Sequence, residues 1–432
     1  MNTLQQLLSG ELAGAKRVKL ACGLTEFPQE LFQLADTLEI LDLSGNRLSD
    51  LPADFDRLHK LKILFCSDNL FTVFPEVLSR CSLLEMVGFK SNRIAVIPEA
   101  AFPPQLRWLI LTNNCLEKIP AAIGQCIRLQ KCMLAGNRLT GLPDEMRYCH
   151  NLQLLRISAN EMATLPDWLF TLPRLSWLAM AGNPCCHQPA VTAPEWIHWN
   201  ELEVTHQLGE GASGFVSTGN WHKHIQQQRE IAVKLFKGEV TSDGLPQEEM
   251  NATVAAGTHV NLVQVLGQIS HHPDQKKGLV LNLIPATFAN LGNPPDFDTC
   301  TRDTFAAGTA FTIDTMLAVA RALASVGAHL HARGIMHGDL YAHNILIDKA
   351  GGVLLVDYGA ATMYNRAAVH AAAIERLEVR AYGCLLDDLL LHAAPEPAQQ
   401  ERRDGLLALR DACMQEQVLL RPSFETLVQQ LG

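Results

Sequence analysis

A period of 23 residues in the first half of the chain constrains the fold more than any other feature of the sequence. Asparagine recurs at spacings of 23, 23, 22, 23, 23 and 23 residues, namely at Asn46, Asn69, Asn92, Asn114, Asn137, Asn160 and Asn183. Each asparagine follows apolar residues three, five and eight positions earlier, as in Leu38-Leu41-Leu43-Asn46. Apolar–Pro pairs such as Leu51-Pro52 keep the same period. One unit cannot bury its apolar face alone, so the period predicts stacked units with a continuous core.

This frame resembles the leucine-rich repeat, and the resemblance covers about residues 18–186 in seven matched units. It implies an α/β repeat solenoid, a horseshoe in which each unit contributes one short strand and a return stretch packed behind it. We expect the asparagine to turn the chain and to satisfy neighbouring backbone groups. The segment from Thr3 to Leu12 is expected to form a small cap helix before the first unit.

Alternation along each strand predicts two columns of side chains on the concave face of the horseshoe. One column is Ile40, Ile63, Met86, Trp108, Lys131, Leu154 and Trp177, and the other is Asp42, Phe65, Gly88, Ile110, Met133, Arg156 and Ala179. Both are rich in apolar and aromatic residues, which on an exposed face is typical of a protein-binding surface. We therefore expect a protein substrate or regulator to bind there. The alternative is that the second half of this chain covers the face.

Composition excludes several classes of protein. The net charge of −10 argues against a nucleic-acid binder, because no excess of Lys and Arg exists to neutralise phosphates. Twelve scattered cysteines, no leader-like start and no run of 18 apolar residues predict a cytoplasmic protein without a membrane span. The repeats stop after Asn183-Pro184. This predicts a repeat domain over 1–186, a linker over 187–200 and a second domain over 201–432.

The second domain begins with a glycine-rich stretch that reads GxGxxGxV, at Gly209, Gly211, Gly214 and Val216. Glycines let a hairpin tip approach phosphate oxygens and donate backbone N–H groups to them. A strand-like stretch follows and ends in Ile231-Ala232-Val233-Lys234. No GxxxxGK[ST] sequence is present, which disfavours a GTPase-type repeat protein.

Two later segments, His337–Asn344 and Val356–Gly359, resemble the catalytic loop and the DFG segment of protein kinases in type, order and spacing. The resemblance implies an α+β two-lobed kinase-like domain that uses ATP and Mg²⁺. In that family the residue matching Asp339 is the catalytic base, Asn344 and Asp357 bind magnesium, and Lys234 holds the α and β phosphates.

The same resemblance places further residues in the cofactor site. Lys234 is expected to pair with a helix glutamate, for which we choose Glu249 over its neighbour Glu248. The stretch from Leu279 to Pro285 reads as a strand running into the hinge that binds adenine, with Leu281 as gatekeeper. Ala232 and Leu283 are also expected to contact the cofactor. A long helix over 314–333 and a late RPxF element at Arg421–Phe424 complete the pattern.

Departures from the kinase pattern concern control rather than the core chemistry. Gly338 stands where an arginine precedes the catalytic aspartate, and Tyr341 stands where Ser/Thr kinases carry a lysine. Glu378, which resembles the start of the large carboxy-terminal helix, follows Asp357 by only 21 positions, so the activation segment is expected to be short. Only about fifty residues then remain, so the carboxy-terminal lobe is expected to be reduced. We therefore predict activity without activation-loop phosphorylation, so that replacing Thr362 by Ala and Tyr364 by Phe leaves it nearly intact.

The predicted function is an ATP- and Mg²⁺-dependent protein kinase, Ser/Thr-directed, whose repeats recruit a protein partner. Two alternatives stay open. The HGDxxxxN segment also resembles the phosphate-transfer loop of aminoglycoside and choline kinases, which act on small molecules. A pseudokinase scaffold is the other, although Lys234, Asp339, Asn344 and Asp357 are all present.

Overall fold

The computed structural model describes residues 1–186, 194–211, 213–224, 227–238, 240–395 and 397–432. These residues form two compact units. The first contains Met1–Arg174 and Asn183–Cys185, and the second contains Leu175–Gly182 and the chain from Cys186 onward. Residues 187–193 of the predicted linker lie outside the described residues. The domain boundaries at 186 and 201 stay a prediction.

A parallel sheet follows the repeat period. Helix α1, Leu4–Leu8, lies in the segment expected for a cap helix and is capped by Thr3. The strands follow one another in chain order in the sheet: β1 Arg17–Lys19, β2 Ile40–Asp42, β3 Ile63–Phe65, β4 Met86–Gly88, β5 Trp108–Ile110, β6 Lys131–Met133, β7 Leu154–Arg156 and β8 Trp177–Ala179. Strands β2 to β8 coincide with the seven frames read from the sequence, β1 precedes the first of them, and the repeat solenoid is confirmed.

The recurring asparagine satisfies backbone groups of two neighbouring units, which explains the period. Asn69 is almost fully buried, and its Nδ2 donates to the carbonyls of Leu43 and Cys66 at 2.9 and 3.2 Å. Its Oδ1 accepts from the backbone N–H of Leu48 at 2.9 Å. A buried amide that meets both its donor and its acceptor needs stabilises the stack. Asn92, Asn114, Asn137 and Asn160 make the equivalent contacts.

The amino-terminal lobe of the second unit is a six-stranded sheet with one helix. Its elements are β9 Trp196–His198, β10 Leu202–Glu210, β11 Gly214–His224, β12 Gln227–Phe236, α2 Pro246–Ala256, β13 Val265–Ser270 and β14 Gly278–Asn282. The sheet order is β10-β11-β12-β14-β13-β9. Strand β9 pairs in parallel with β13, and its Ile197 is fully buried. The described end of the predicted linker is therefore part of this sheet.

The carboxy-terminal lobe is mainly helical. Its elements are β15 Ala289–Asn290, α3 Ile313–His331, β16 Ile335–Met336, β17 Ile345–Ile347, β18 Val353–Leu355, β19 Thr362–Met363, α4 Ala371–Leu391, α5 Gln400–Cys413 and α6 Phe424–Leu431. Helix α3 is capped by Thr312 and lies within one or two residues of its predicted bounds. By length and composition alone α3 could span a membrane, but 61% of its most apolar window is buried in this unit. The two-lobed kinase-like architecture is confirmed.

Helix α4 begins earlier than the sequence resemblance suggested. Glu378 was taken as near its start, whereas the helix already includes Ala371–Leu377. These seven residues are Ala, Ile, Glu, Arg and Leu, which mostly have high helix propensity. The segment between Asp357 and α4 is only 13 residues long.

Candidate active site

A cleft of about 340 Å³ in the second unit collects most of the predicted site residues. Nine of the twelve line it: Gly211, Gly214, Val216, Ala232, Lys234, Glu249, Leu281, Leu283 and Asp357. Gly209, Asp339 and Asn344 are not among its lining residues. Val263 and Leu355, which sequence reasoning did not select, add apolar surface to the same wall. The cleft is thus an apolar slot with charged groups at one end.

The glycine-rich hairpin forms one wall of the cleft. Strands β10 and β11 are antiparallel, and the N–H of Gly211 donates to the carbonyl of Gly214 at 2.9 Å across the turn. A Cβ at Gly214 would collide with the carbonyl of Leu235, so packing alone requires glycine there. At Gly209 and Gly211 a Cβ would meet open space. Packing among the residues that the structure describes therefore gives no reason for glycine at those two positions.

Lys234 and Glu249 form a buried ion pair at the polar end of the cleft. Nζ of Lys234 donates to Oε1 of Glu249, whereas Glu248 was the rival in the sequence. Their side chains are 18% and 2% exposed. Burial raises the pKa of Glu249, and the nearby Asp357 carboxylate adds to this, while Lys234 opposes it. Loss of either partner would leave an uncompensated buried charge.

The catalytic-loop residues hold each other in place. Nδ2 of Asn344 donates to Oδ2 of Asp339 at 2.8 Å and to its carbonyl at 3.0 Å. The carbonyl of Asn344 accepts from the N–H of Val356 at 3.0 Å, which ties this loop to the residue before Asp357. Asp339, Asn344 and Asp357 are therefore brought together, as their spacing in the sequence predicts.

Asp357 has a strained backbone. Its φ of 65° lies in the left-handed region, which residues other than glycine rarely adopt. Its Oδ1 accepts from the N–H of Gly359 at 3.0 Å, and the residue lines the cleft beside Lys234. Such strain persists only where surrounding structure enforces it, and it is concentrated at functional sites.

The donor set fits a magnesium ion. Mg²⁺ takes oxygen ligands and is commonly held by one or two carboxylates together with substrate phosphates. Asp357 offers a carboxylate, and Asn344 uses its Nδ2 for Asp339, so its amide oxygen is the remaining donor atom. Among the described residues no group of three or more His, Cys, Asp or Glu side chains could hold a metal by itself. A magnesium ion here would take phosphate oxygens or water as further ligands.

Glu378 contacts the loop that carries Asp339, and the sequence did not indicate this role. It is 1% exposed, and it accepts from the N–H groups of His337 at 3.1 Å and Gly338 at 2.6 Å and contacts Nε2 of His331 at 2.7 Å. Burial alone would raise its pKa, but the hydrogen bonds and charge of His331 and the Gly338 N–H bring the pKa below its ordinary value. Its partners lie 40, 41 and 47 residues away in the sequence, so no local pattern singles it out.

The surroundings of Gly338 explain why glycine stands where protein kinases carry arginine. Its φ is 74°, and a Cβ there would lie 2.6 Å from both the carbonyl of Ala360 and the carbonyl of Leu178. No side chain fits. Two hydroxyls of the short segment after Asp357 make hydrogen bonds: Thr362 accepts from the N–H of Met180, and Tyr364 contacts Nδ1 of His331 at 2.8 Å. Both side chains are buried.

Comparison with known proteins finds matching families for both halves of the chain. Residues 202–382 match the family model of protein tyrosine and serine/threonine kinases, and residues 37–58 and 127–184 match leucine-rich repeat models. A probable serine/threonine-protein kinase of Dictyostelium discoideum is 27% identical over 181 residues, covering 40% of this chain and 11% of the relative. Serine/threonine-protein kinase STY17 of Arabidopsis thaliana is 23% identical over 287 residues, 57% of this chain and 47% of the relative.

The repeat half has relatives of its own. Leucine-rich repeat and calponin homology domain-containing protein 1 of Mus musculus is 32% identical over 111 residues, 25% of this chain and 16% of the relative. The chain therefore spans less than half the length of each of these three relatives.

Proposed function

Because the chain carries leucine-rich repeats followed by a protein kinase domain, we propose that it is an ATP- and Mg²⁺-dependent protein kinase directed at serine and threonine. The contact between Lys234 and Glu249, in the same cleft as Asp357, carries this proposal. Protein kinases need the lysine–glutamate pair and the metal-binding aspartate in place together.

The apolar part of the cleft suits an adenine ring. Val216, Ala232, Leu281 and Leu283 line it, and the strand β14 ends at Asn282 beside it. The glycines at 209 and 211 leave room for phosphates to approach the hairpin backbone, because no neighbouring atom would contact a Cβ there. Lys234 holds the α and β phosphates, and Glu249 orients its ammonium group.

The chemistry of transfer is assigned to three residues. Bound Mg²⁺ supplies neutralisation of the phosphate charge, and Asp357 and Asn344 are the residues that hold it. Asp339 accepts the proton of the substrate hydroxyl as the hydroxyl oxygen bonds to the γ-phosphorus, while the bond from that phosphorus to the β,γ-bridging oxygen breaks and ADP leaves. Its hydrogen bond with Asn344 orients the carboxylate for that proton, and the Glu378 contacts with residues 337 and 338 fix the backbone beside it.

Replacing Asp339 by Asn tests this assignment. Full-length protein is incubated with labelled ATP and Mg²⁺, and phosphate incorporation is measured alongside ATP binding. We expect a loss of at least about 100-fold in transfer, since general-base catalysis contributes about 10²- to 10⁴-fold, with ATP binding retained. Asp314→Asn, at a carboxylate that is 71% exposed on α3, is the matched control. Unchanged transfer in the Asp339 variant would refute the mechanism.

The scaffold alternative has one observation in its favour. Tyr341 is buried where Ser/Thr kinases carry a lysine, so that charge is missing from the loop. Binding of ATP by the wild-type protein with no transfer to any protein would favour this alternative, and transfer to a sugar or choline in place of protein would favour the small-molecule reading.

We also propose a cytoplasmic location and recruitment of a protein partner through the concave columns. Ile40, Phe65, Trp108 and Ile110 are partly exposed there, so apolar surface remains accessible on strands β2, β3 and β5. Leucine-rich repeats are typical protein-interaction modules. If a tagged repeat region binds a protein and the Trp108→Asp variant does not, recruitment through this face is supported.

A further inference from the structure

The last repeat strand is part of the kinase unit. Residues Leu175–Gly182, which include β8, cluster with the second compact unit rather than with the other repeats. Trp177 on this strand is 1% exposed. Its ring stacks on Tyr341 with centroids 4.4 Å apart and planes 6° apart, and its Nε1 donates to the carbonyl of Leu340 at 3.1 Å. Two consecutive residues of the catalytic loop therefore rest on one tryptophan.

Residues in and directly beside this strand extend the contact on both sides of Asp339. The carbonyl of Leu178 lies so close to Gly338 that a Cβ would not fit. The N–H of Met180 donates to Oγ1 of Thr362 at 3.1 Å, beyond Asp357. Ser176 accepts from Nη1 of Arg380 on α4 at 2.9 Å, and both side chains are buried.

The stack continues into the metal-binding end of the loop. The ring of Tyr341 lies 5.0 Å from that of His343, at an angle of 29°. Nδ1 of His343 contacts Oδ1 of Asp303 at 2.7 Å, and the other oxygen of Asp303 accepts from the N–H of His343 at 3.2 Å. Asn344 follows directly, and its N–H donates to the carbonyl of Tyr341 at 3.1 Å. Trp177, Tyr341 and His343 therefore form a continuous stack of rings along the loop that carries Asp339 and Asn344.

We propose that Trp177 is a positioning residue for phosphoryl transfer, and that the kinase domain is functionally complete only with β8 of the last repeat. The inference rests on the proposed kinase function. In this arrangement the strand holds the catalytic loop and the segment after Asp357 by direct contacts, at a place where the chain has neither the arginine before Asp339 nor the lysine after it.

Geometry gives the size and type of the expected effect. Misplacing a catalytic group by about 1 Å can cost about 100-fold in rate. Trp177 does not line the cleft that is assigned to ATP. Trp177→Ala should therefore lower kcat by about 10- to 100-fold while the KM for ATP changes less than about 3-fold.

The experiment uses the full chain with Trp177→Ala, Trp177→Phe and the control Trp168→Ala. Trp168 belongs to the preceding repeat, lies outside both concave columns and donates to Asp144 at 3.0 Å. The Phe variant keeps a ring on Tyr341 but loses the donor to Leu340, so an intermediate kcat is expected. Amide hydrogen exchange over residues 337–344 is measured in every variant, and we expect faster exchange in this loop for Trp177→Ala and not for Trp168→Ala.

The outcomes separate this inference from the proposed function. If the wild-type protein transfers no phosphate, the kinase proposal fails, while hydrogen exchange still decides whether Trp177 orders the loop. If the wild type is active and Trp177→Ala keeps its kcat and loop protection, the inference is refuted. A kcat above wild type would also overturn it, because β8 would then be an inhibitory cover. If the Ala variant does not fold, the Phe variant decides by the same two measurements.

Discussion

At the scale of single residues, Gly338 combines a positive φ with the close approach of two carbonyl oxygens. Its positive φ and the carbonyls of Ala360 and Leu178 act together. Gly351 has a φ of 88° but open space around a Cβ, so it shows the conformational effect without the steric one. Comparing Gly338 with Gly351 therefore tests whether crowding by the two carbonyls explains the absence of arginine at position 338.

Replacing Gly338 by Ala should destabilise the protein by about 2–4 kcal/mol, because strain at positive φ adds to a clash with backbone oxygens. Gly351→Ala should cost about 1 kcal/mol from the conformation alone. Urea unfolding of both variants measures the difference. Equal losses in the two variants would show that the approach of Leu178 and Ala360 is not tight.

Glu378 makes a second residue-level prediction, on pH. Its folded-state pKa lies below the ordinary value of 4.5, so it contributes stability that is present above that value and is lost as the pH falls further. Glu378→Gln should lower the free energy of unfolding by about 3 kcal/mol at pH 7, since it breaks a buried pair with His331.

The difference between wild type and this variant should shrink below pH 4.5, where the wild-type carboxylate becomes protonated. Urea unfolding at pH 7, 5 and 4 measures that difference. A difference that stays constant over this range would show that the charge of Glu378 does not stabilise the fold.

At the scale of elements, the repeat strands and the bounds of helix α3 were predictable, and the start of helix α4 was not. The strands of the repeats follow from the spacing of leucines and asparagines, because each unit must repeat the same hydrogen bonds as Asn69. Helix α4 was placed too late because its start was taken from resemblance to a kinase motif. The alanine-rich stretch from Ala371 gave the better signal through its helix propensity.

The structure refines the expectation that Thr362 and Tyr364, in the segment after Asp357, are not needed for activity. Thr362 accepts a hydrogen bond from the buried N–H of Met180, so Thr362→Ala should cost about 1–2 kcal/mol in stability. We still expect nearly intact activity in Thr362→Ala with Tyr364→Phe, because neither hydroxyl reaches the cleft. Thermal unfolding and phosphate transfer of the double variant test the two parts separately, and a loss of more than about 10-fold in transfer would contradict the second.

At the scale of the whole molecule, the sequence predicted which residues meet in the cleft but not what supports them. Lys234, Glu249 and Asp357 carry recognisable spacing and chemistry, so their meeting could be expected. Trp177 and Leu340 are 163 residues apart and belong to segments that each look complete alone. Only the folded chain brings the last repeat strand to the catalytic loop. The contacts of Glu378 are likewise long-range.

The central claim is that this cleft transfers phosphate from ATP to protein hydroxyl groups. The most direct measurement is incorporation of labelled γ-phosphate by the purified full-length chain, with Mg²⁺ and with the metal removed by EDTA, followed by mapping of the modified residues. The account predicts Mg²⁺-dependent transfer onto serine or threonine and none with EDTA. Tight binding of ATP without transfer to any protein, with Mg²⁺ present, would contradict it.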